Sequence, residues 1–501
     1  MVFTTQIFTF VFLPLSVIIY LLADRLSCIK ALNGLFARLR VKDFILILFS
    51  LGFYAWACFD NVFRLLAYIV IVYLLALLIS YAKGKGKYVL LRSAAPDGTE
   101  TAKKFYLSVI PFALAVASVV FVLVYYNYSG FITDCWNKLF GAKLGAVSLT
   151  APLGLSFITF SAISYLVDIY RGQAEPGSIV DCILYLSFFP KIISGPIVLY
   201  RDFKGQIASR SCDFDKFISG ANRIMIGFAK KVILADTFGA CLNEIPKWDI
   251  DWITAAGTLL LYMLQIYYDF AGYSDIAIGV SKVFGFEFKE NFDFPYRSKS
   301  ITEFWRRWHI SLGAWFREYV YFPLGGSRKG IKRTLINLGV VFALTGIWHG
   351  AGWNYILWGA INGVLAVIER AVANKKGYIK TPSAVKYIFT MAVVMGFWQL
   401  FRFQTIRDAL RVGAIAVGYL KFDAIPYTWQ YYYTAPIIVF AIIGILGATV
   451  LGSPKIKSVY CRFAATKVGF AVSQAVLLGV FILAIMFMIN STYSPFIYFQ
   501  Y

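Results

Sequence analysis

The chain has 501 residues, of which 59% are hydrophobic and 15% are charged, and its formal net charge is +22 at pH 7. Soluble domains carry about 25% charged residues, so this composition excludes an ordinary soluble protein and indicates a membrane protein. The seven cysteines show no CxxC spacing, which argues against both a disulfide framework and a zinc site.

Apolar runs of spanning length recur along the whole chain. The clearest lie near residues 7–23, 44–58, 62–81, 106–126, 182–199, 252–276, 384–401, 434–451 and 467–488. Because one span needs about 20 residues, the pattern predicts an all-α polytopic membrane protein with roughly ten to twelve transmembrane helices, some re-entrant or broken. A transmembrane barrel is disfavoured because the runs are continuous rather than alternating. We interpret residues 1–501 as a single membrane domain.

The first apolar run lacks both a basic leader and a small-residue cleavage site, so we interpret it as a retained span. Lysines and arginines cluster between the apolar runs, at residues 25–42, 83–104, 375–380 and 455–467. The positive-inside rule makes these loops cytoplasmic, and both chain ends then lie outside. Nucleic-acid binding is a weak alternative, because the charges are scattered over many loops.

The stretch from Tyr262 to Arg333 mixes aromatic, acidic, basic and glycine residues within this apolar chain. Polar groups at membrane depth persist only where protein or water surrounds them, so we expect function in this region. Asp269 and Asp275 lie six residues apart and do not share a helix face, which disfavours a catalytic dyad. Such acids more often hold helices together through arginine or serine partners.

The segment from Ser300 to Tyr321 carries the first of only two histidines. Trp305, His309, Leu312 and Phe316 follow one another at helical spacing, which predicts one amphipathic helix. Helices of this kind often lie along a membrane interface. The structural alternative for His309 is a core histidine with satisfied hydrogen bonds.

The second histidine lies in a segment, residues 334–368, that carries no charged side chain. One straight helix of that length would exceed about 50 Å, against an apolar bilayer core of roughly 30 Å. The glycine-rich sequence "GIWHGAG" therefore predicts a break in the helix, and His349 lies in its middle. In a dry site a neutral histidine suits general base catalysis or proton relay, and a surface-loop histidine is the alternative.

Four stretches together resemble the bacterial branch of the membrane-bound O-acyltransferase family, which acts in alginate O-acetylation and in D-alanine export to teichoic acids. They are "FFPKIISGPI", "YYDFAGYSDIAIG", "NFDFPYRSKSITEFWRRWHISLGAWFREYVYFPLGGSRKG" and "TGIWHGAGWNYILWG", and they define a core over roughly residues 152–369. The resemblance implies a ring of transmembrane helices around a central tunnel, in which funnels from both faces meet near an essential histidine.

By motif, that histidine and general base is His349, and His309 is the second polar position, which assists it. The C-terminal tail, residues 490–501, ends in "FIYFQY" and resembles the aromatic ending of these systems, which implies that Tyr498 relays the acyl group. The remaining candidates, as tunnel-lining or structural residues, are Trp305, Arg306, Trp348, Asn354, Asp269, Asp275 and Ser194.

The resemblance implies an O-acetyltransferase of the bacterial cytoplasmic membrane that moves acetyl groups across it to an extracytoplasmic polysaccharide or cell-wall glycan. The expected donor is acetyl-CoA, and no bound cofactor or metal is expected. Expected partners are an extracytoplasmic esterase-like acetyltransferase, the glycan and membrane lipids. Two alternatives stay open: D-alanyl transfer to teichoic acid from a carrier-protein thioester, and a proton-coupled transporter that uses His349 and Asp269 as a relay.

Overall fold

The computed structural model describes residues 2–490 except 28, 30–33, 36–37, 85–87, 95–99, 146, 148, 374, 376–377, 379 and 423. The tail beyond residue 490, with Tyr498, lies outside the described residues. The chain groups into two compact units. Unit 1 comprises Phe10–Lys216 and Ser281–Phe288, and unit 2 comprises Val2–Thr9, Phe217–Val280 and Lys289–Tyr501. The interpretation of residues 1–501 as one domain stays a prediction.

The chain opens with a π-helical turn, Phe8–Phe12, and the helices of unit 1 follow it. They are α1 Leu13–Ser27, α2 Val41–Ala57, α3 Phe59–Gly84, α4 Val109–Phe140, α5 Leu155–Arg171, α6 Ile179–Ser187, α7 Phe189–Ile192 and α8 Tyr200–Ser209. Two antiparallel strands, β1 Tyr88–Ala94 and β2 Glu100–Tyr106, form a hairpin between α3 and α4. This hairpin lies in one of the basic loops, and no prediction from the sequence anticipates it.

Unit 2 consists of helices and the loops between them over its described residues. Its α-helices are α9 Phe214–Phe228, α10 Asp236–Glu244, α11 Trp252–Val283, α12 Ile301–Arg307, α13 Ile310–Phe316, α14 Gly330–His349, α15 Trp353–Val372, α16 Ser383–Arg402, α17 Ile406–Ala416, α18 Trp429–Tyr432, α19 Ala435–Thr449, α20 Pro454–Ala464 and α21 Lys467–Asn490. Ala229–Ala235 and Arg317–Tyr321 are π-helical, and Pro295–Arg297 and Val450–Gly452 are 3₁₀ turns. Helix α9 begins, and α11 ends, within the residues of unit 1.

Eight helices among the described residues are long and apolar enough to cross a membrane. They are Phe8–Ser27, Phe59–Gly84, Val109–Phe140, Gly330–His349, Trp353–Val372, Ser383–Arg402, Ala435–Gly452 and Lys467–Asn490. They confirm an all-α polytopic membrane protein, with fewer spans than the roughly ten to twelve that the sequence predicts. Helix α11 is as long as a span, but its tyrosines and aspartates lower its mean hydropathy, and it is buried along most of its length.

The apolar run 182–199 does not form a spanning helix, so that prediction is wrong. Helix α6 begins at a capping box in which Ser178 and Asp181 bond each other's backbone N–H groups, and it ends before Phe188. Pro190 then lies in the first turn of the four-residue helix α7, where its missing N–H costs least. The remaining residues of the run contain no helix until Tyr200 begins α8.

The predicted break at "GIWHGAG" is confirmed. Helix α14 ends at His349, and α15 begins three residues after Gly350. The two helices approach closely at glycines: a Cβ on Gly346 would lie 2.7 Å from the backbone oxygen of Tyr355, and one on Gly359 would lie 2.6 Å from that of Phe342. Small residues permit such close helix packing in membranes. The result is a tight helical hairpin with His349 at its tip.

The prediction of one amphipathic helix over Ser300–Tyr321 is wrong, because the segment breaks at Trp308. Helix α12 ends at Arg307, and His309, with φ of +47°, precedes helix α13. A left-handed backbone at a non-glycine residue costs roughly 1–2 kcal/mol, so surrounding contacts must hold it in place. The backbone oxygen of Asn291 accepts a hydrogen bond from Ile310 N at 2.9 Å, immediately after the break.

Candidate functional site

A cavity of about 740 Å³ within unit 2 is lined by both histidines of the chain. Trp305, Leu312 and Phe316 line it as well, so the face predicted for one helix survives the break between α12 and α13. The left-handed turn at His309 changes the direction of the chain between α12 and α13, and Trp305, Leu312 and Phe316 still face the same cavity. The cavity falls within the size range of pockets that bind small molecules.

His349 lies in a cage of aromatic rings. Its ring centroid is 5.0 Å from those of Trp358 and Phe401, each in an edge-on arrangement, and 4.6 Å from that of Trp348. The side chain lines the cavity, but the residue is only 8% exposed. These rings keep water away from the imidazole, and exclusion of water protects a reactive acyl group from hydrolysis.

His309 is held by Asn291. Its Nδ1 lies 3.0 Å from Asn291 Oδ1, and the same oxygen accepts hydrogen bonds from Ser311 N at 3.3 Å and Ser311 Oγ at 2.9 Å. A backbone N–H can only donate, so Oδ1 is the acceptor and His309 Nδ1 must carry the proton. The lone pair of the neutral ring therefore lies on Nε2.

The environment of His309 favours the neutral ring. The residue is 3% exposed, and the ring of Phe270 packs edge-on against it at 4.7 Å. Burial lowers the pKa of His309 well below its ordinary value, and the nearby His349 lowers it further. A neutral imidazole with its lone pair on Nε2 accepts a proton or a hydrogen bond, as acyl transfer to a hydroxyl requires.

The cavity is also strongly basic. Arg306, Arg317 and Arg370 line it, and no carboxylate does so among the described residues. Hydroxyl groups of Thr302 and Ser327 join them in the lining. Guanidinium groups bind phosphates and carboxylates through paired hydrogen bonds, so the lining favours an anionic ligand.

Trp305 and Trp348, the two predicted tryptophans, lie in different positions relative to the cavity: Trp305 lines it and Trp348 does not. The indole N–H of Trp305 donates to Asn362 Oδ1 at 3.2 Å, which fixes its ring. Trp348 packs against both histidines, with centroids 4.6 Å from His349 and 6.3 Å from His309. These indoles add apolar surface around the two histidines.

Asn354 does not line the cavity. Its side-chain amide donates to the backbone oxygens of Leu400 at 2.9 Å and Phe403 at 3.4 Å. It therefore ties the start of α15 to the end of α16, the helix that carries Phe401. The geometry gives Asn354 a structural role that supports the cage around His349.

Asp269 belongs to a buried ion cluster and is not among the residues that line the cavity. Its Oδ1 lies 2.7 Å from Lys231 Nζ, and that ammonium lies 2.5 Å from Asp236 Oδ1. Burial raises the pKa of Asp236 to about 7, against the lowering effect of Lys231. The cluster links α11 to the π-helical segment Ala229–Ala235 and to α10, with a lysine where the sequence analysis expects an arginine or a serine.

Asp275 is likewise an ion-pair residue. Its two oxygens lie 2.7 Å from Arg223 and 2.7 Å from Lys230, so it links α11 to α9 and the π-helical segment. Ser194 lies in unit 1 and is buried, and its hydroxyl has no hydrogen-bond partner among the described residues. Neither residue lines the cavity.

Residues of the site that are absent from the sequence-based candidates include Asn291, Arg317, Arg370 and Phe401. Asn291 is the first letter of the long matching stretch "NFDFPYR", so its position held a usable signal. Arg317 lies off the apolar stripe of its segment, and Arg370 follows shortly after the uncharged stretch 334–368. Phe401 carries no local signal, since it reaches His349 from another helix.

Comparison with known proteins gives consistent matches. The chain is 35% identical to "Probable alginate O-acetylase AlgI" of Pseudomonas aeruginosa, over 82% of this chain and 74% of the relative. It is 30% identical to the peptidoglycan O-acetyltransferase of Helicobacter pylori, over 83% of this chain and 80% of the relative. The teichoic acid D-alanyltransferase of Bacillus subtilis is 35% identical over 44% of this chain and 58% of the relative.

The family profile of membrane-bound O-acyltransferases matches residues 51–406, which include both histidines and every described residue that lines their cavity. On the strength of this match and of the long alignments, the chain belongs to the membrane-bound O-acyltransferase family.

Proposed function

We propose that this chain transfers acetyl groups from a cytoplasmic thioester donor across the membrane, for O-acetylation of an extracytoplasmic glycan. One observation carries the proposal: His309 and His349 line the same cavity as three arginines. The histidines supply proton transfer, and the arginines suit a donor that bears phosphates. Acetyl-CoA is a donor that combines a thioester with several phosphates.

In the proposed step, His349 acts as the general base. It takes the proton of an attacking hydroxyl while the hydroxyl oxygen bonds to the thioester carbonyl carbon. The carbon–sulfur bond then breaks, and the leaving thiolate receives the proton from His349. The products are an ester and a free thiol, so atoms and charge balance without a metal or a redox partner.

His309 assists through its Nε2 lone pair, which accepts a hydrogen bond from the attacking hydroxyl and so orients it. The tautomer set by Asn291 makes this possible, because a proton on Nδ1 leaves Nε2 as the acceptor. The arginines hold the donor's phosphates at the polar part of the lining, and the thioester extends toward the histidines. Arg306, Arg317 and Arg370 thus determine donor binding rather than bond breaking.

The proposal of acetyl transfer rather than D-alanyl transfer rests on how much of this chain each kind of relative aligns with. The alginate and peptidoglycan O-acetylating relatives align over 82% and 83% of this chain, whereas the D-alanyltransferase of Bacillus subtilis aligns over 44%. We therefore place the acceptor among polysaccharides and cell-wall glycans. An extracytoplasmic esterase-like partner passes the acetyl group to the sugar, and the enzyme resides in the bacterial cytoplasmic membrane. Tyr498 accepts the acetyl group as an ester before this transfer.

The transporter hypothesis gains no support. A relay between His349 and Asp269 needs both groups in one aqueous path, yet only His349 lines the cavity. Asp269 is instead paired with Lys231 at 2.7 Å. Acyl transfer uses both histidines and the three arginines of the cavity, whereas a proton relay leaves the arginines unexplained.

The test is incubation of the purified protein with isotope-labelled acetyl-CoA, followed by mass spectrometry of the C-terminal peptide. We expect labelled acetyl on Tyr498 in the wild type and none in His349→Ala or Tyr498→Phe. Tyr427→Phe, which removes the hydroxyl of an exposed tyrosine outside the tail, is the control and should keep the label. Thiol release without a labelled tail would overturn the proposal that Tyr498 relays the acetyl group. Absence of thiol release would overturn the proposal that acetyl-CoA is the donor.

A further inference from the structure

A second basic cavity lies in unit 2, and none of its lining residues lines the cavity of the histidines. It measures about 410 Å³ and is lined by Arg407, Arg411, Leu420, Lys421 and Phe422. Three of these five residues are cations, and none is acidic. No carboxylate among the described residues forms a salt bridge with any of the three, although other surface cations of the chain are paired. This surplus of positive charge calls for an anion.

The cations are brought together by the end of α17. Arg407 and Arg411 lie one turn apart on this helix, so their side chains are neighbours. Gly418, with φ of +74°, follows the helix, and its N–H bonds back to Ile415 O at 2.9 Å. This glycine turn returns the chain, and Lys421 and Phe422 complete the cavity beside the two arginines.

Arg411 is held in place before any ligand binds. Its guanidinium carbon lies 4.3 Å from the ring centroid of Trp248 and 5.7 Å from that of Phe422. Stacking on aromatic faces leaves the N–H groups at the edge of the guanidinium available to an anion. A pre-positioned arginine loses less entropy when it binds a phosphate.

Exposed apolar side chains border the cations. Leu410 is 68% exposed and Val417 is 80% exposed, and they lie seven residues apart on one side of the α17 segment. Tyr419 nearby is 82% exposed. The opposite side of α17 is buried through Ala409, Val412 and Ile415. The helix therefore has one apolar face packed inside the protein and a second, exposed face on which apolar side chains border the cations. The segment connects two candidate spans, α16 and α19, and an amphipathic helix between two spans is expected at the membrane interface.

We propose that this cavity binds the phosphate headgroup of an anionic phospholipid, with Arg407, Arg411 and Lys421 on the phosphate and the lipid chains along Leu410 and Val417. A soluble anion would leave the exposed apolar border without a partner. A lipid supplies both an anionic head and apolar chains, and therefore matches both parts of the surface. The site is independent of the acyl-transfer cavity.

The test is native mass spectrometry of the purified full-length protein, titrated with phosphatidylglycerol and, separately, with phosphatidylcholine. We expect a preference for phosphatidylglycerol that falls about fivefold for each charge removed in Arg407→Gln, Arg411→Gln and Lys421→Gln. Arg407→Lys with Arg411→Lys keeps the charges and should keep most of the preference. A preference unchanged in the triple glutamine variant would overturn the site.

A charge-matched control is available in α20 and the start of α21. Lys455→Gln, Arg462→Gln and Lys467→Gln remove the same charge from exposed positions. This triple variant should keep the preference for phosphatidylglycerol over phosphatidylcholine. An equal loss in both triple variants would mean general electrostatic attraction and would contradict a specific site. Displacement of phosphatidylglycerol by equimolar glycerol phosphate would assign the cavity to a free phosphate instead. Displacement by a short uronate oligomer would assign it to a glycan.

Discussion

The Oδ1 atom of Asn291 lies 3.0 Å from Nδ1 of His309, and it reaches the histidine across a break between two short helices. The same asparagine donates through Nδ2 to Ser274 Oγ at 3.0 Å, so it is fixed from both ends. Residue 291 thereby determines both the tautomer of His309 and the backbone turn on which the ring is mounted.

Replacement of Asn291 by alanine is expected to lower kcat for acetyl transfer about tenfold while KM for acetyl-CoA changes little, because a buried hydrogen bond to the histidine is lost. Asn291→Asp keeps an oxygen acceptor but places a charge beside the ring, so the pKa of His309 rises. The pH–rate profile of Asn291→Asp should then shift its lower limb toward neutral pH. A profile identical to that of the wild type would contradict the positioning role.

Substitution of His349 by alanine is expected to abolish transfer, since no other group in the cage of Trp348, Trp358 and Phe401 takes up a proton. His309→Ala should only impair transfer, by roughly the hundredfold typical of an assisting group. Thiol release from acetyl-CoA measures both effects, and thermal unfolding in detergent checks the fold. Full activity in His349→Ala would refute its assignment as the base.

The arginines of the large cavity are expected to act on donor binding. Arg317→Gln and Arg370→Gln should each raise KM for acetyl-CoA about tenfold, the value of one charge-assisted hydrogen bond. A short acetyl thioester that lacks phosphates should show no such change. Arg328→Gln removes a charge from a residue outside the lining and serves as the control. Equal losses with both donors would indicate a structural role instead.

Lys191 predicts how stability depends on pH. It is 3% exposed, its Nζ lies 2.9 Å from Ser161 Oγ, and burial lowers its pKa to about 7. In the unfolded chain lysine keeps its proton to about pH 10.4, so between these values the unfolded state binds more protons. The free energy of unfolding should therefore rise as pH increases from 7 toward 10.

Replacement of Lys191 by methionine removes the titrating amine, so the free energy of unfolding should depend less on pH between 7 and 10. The measurement is the melting temperature in detergent at pH 7 and pH 9, for the wild type and Lys191→Met. The difference in melting temperature between the wild type and Lys191→Met should be smaller at pH 9 than at pH 7, because the wild type no longer buries a charged amine at pH 9. A constant difference would show that the amine stays protonated in the folded chain.

The close contact between α14 and α15 depends on Gly346. Gly346→Val should cost roughly 1–3 kcal/mol of stability, because its Cβ would meet Tyr355 O at 2.7 Å, and it should also reduce transfer by displacing His349. Gly339 lies in the same helix, and a Cβ added there would meet nothing within 4 Å, so Gly339→Ala is the control and should stabilise by up to about 1 kcal/mol. Melting curves of the two variants make the comparison.

Sequence alone determined the features that depend on neighbours along the chain. Six of the eight candidate spans coincide with apolar runs of the sequence, since transfer into the bilayer depends on about 20 consecutive residues. Glycines marked the break before α15, because their backbone freedom is local. The matching stretches also indicated the family and both histidines, since these residues occur in fixed local patterns.

Which distant residues share one site follows from the fold and not from any local pattern. Asn291 reaches His309 across 18 positions, and Phe401 reaches His349 from a different helix, so no periodicity reports either contact. The same limit explains the two errors, the helix over Ser300–Tyr321 and the span over 182–199. Hydropathy measures how much apolar surface a segment carries, whereas breaks and partners depend on hydrogen bonds and packing that form only when distant segments meet.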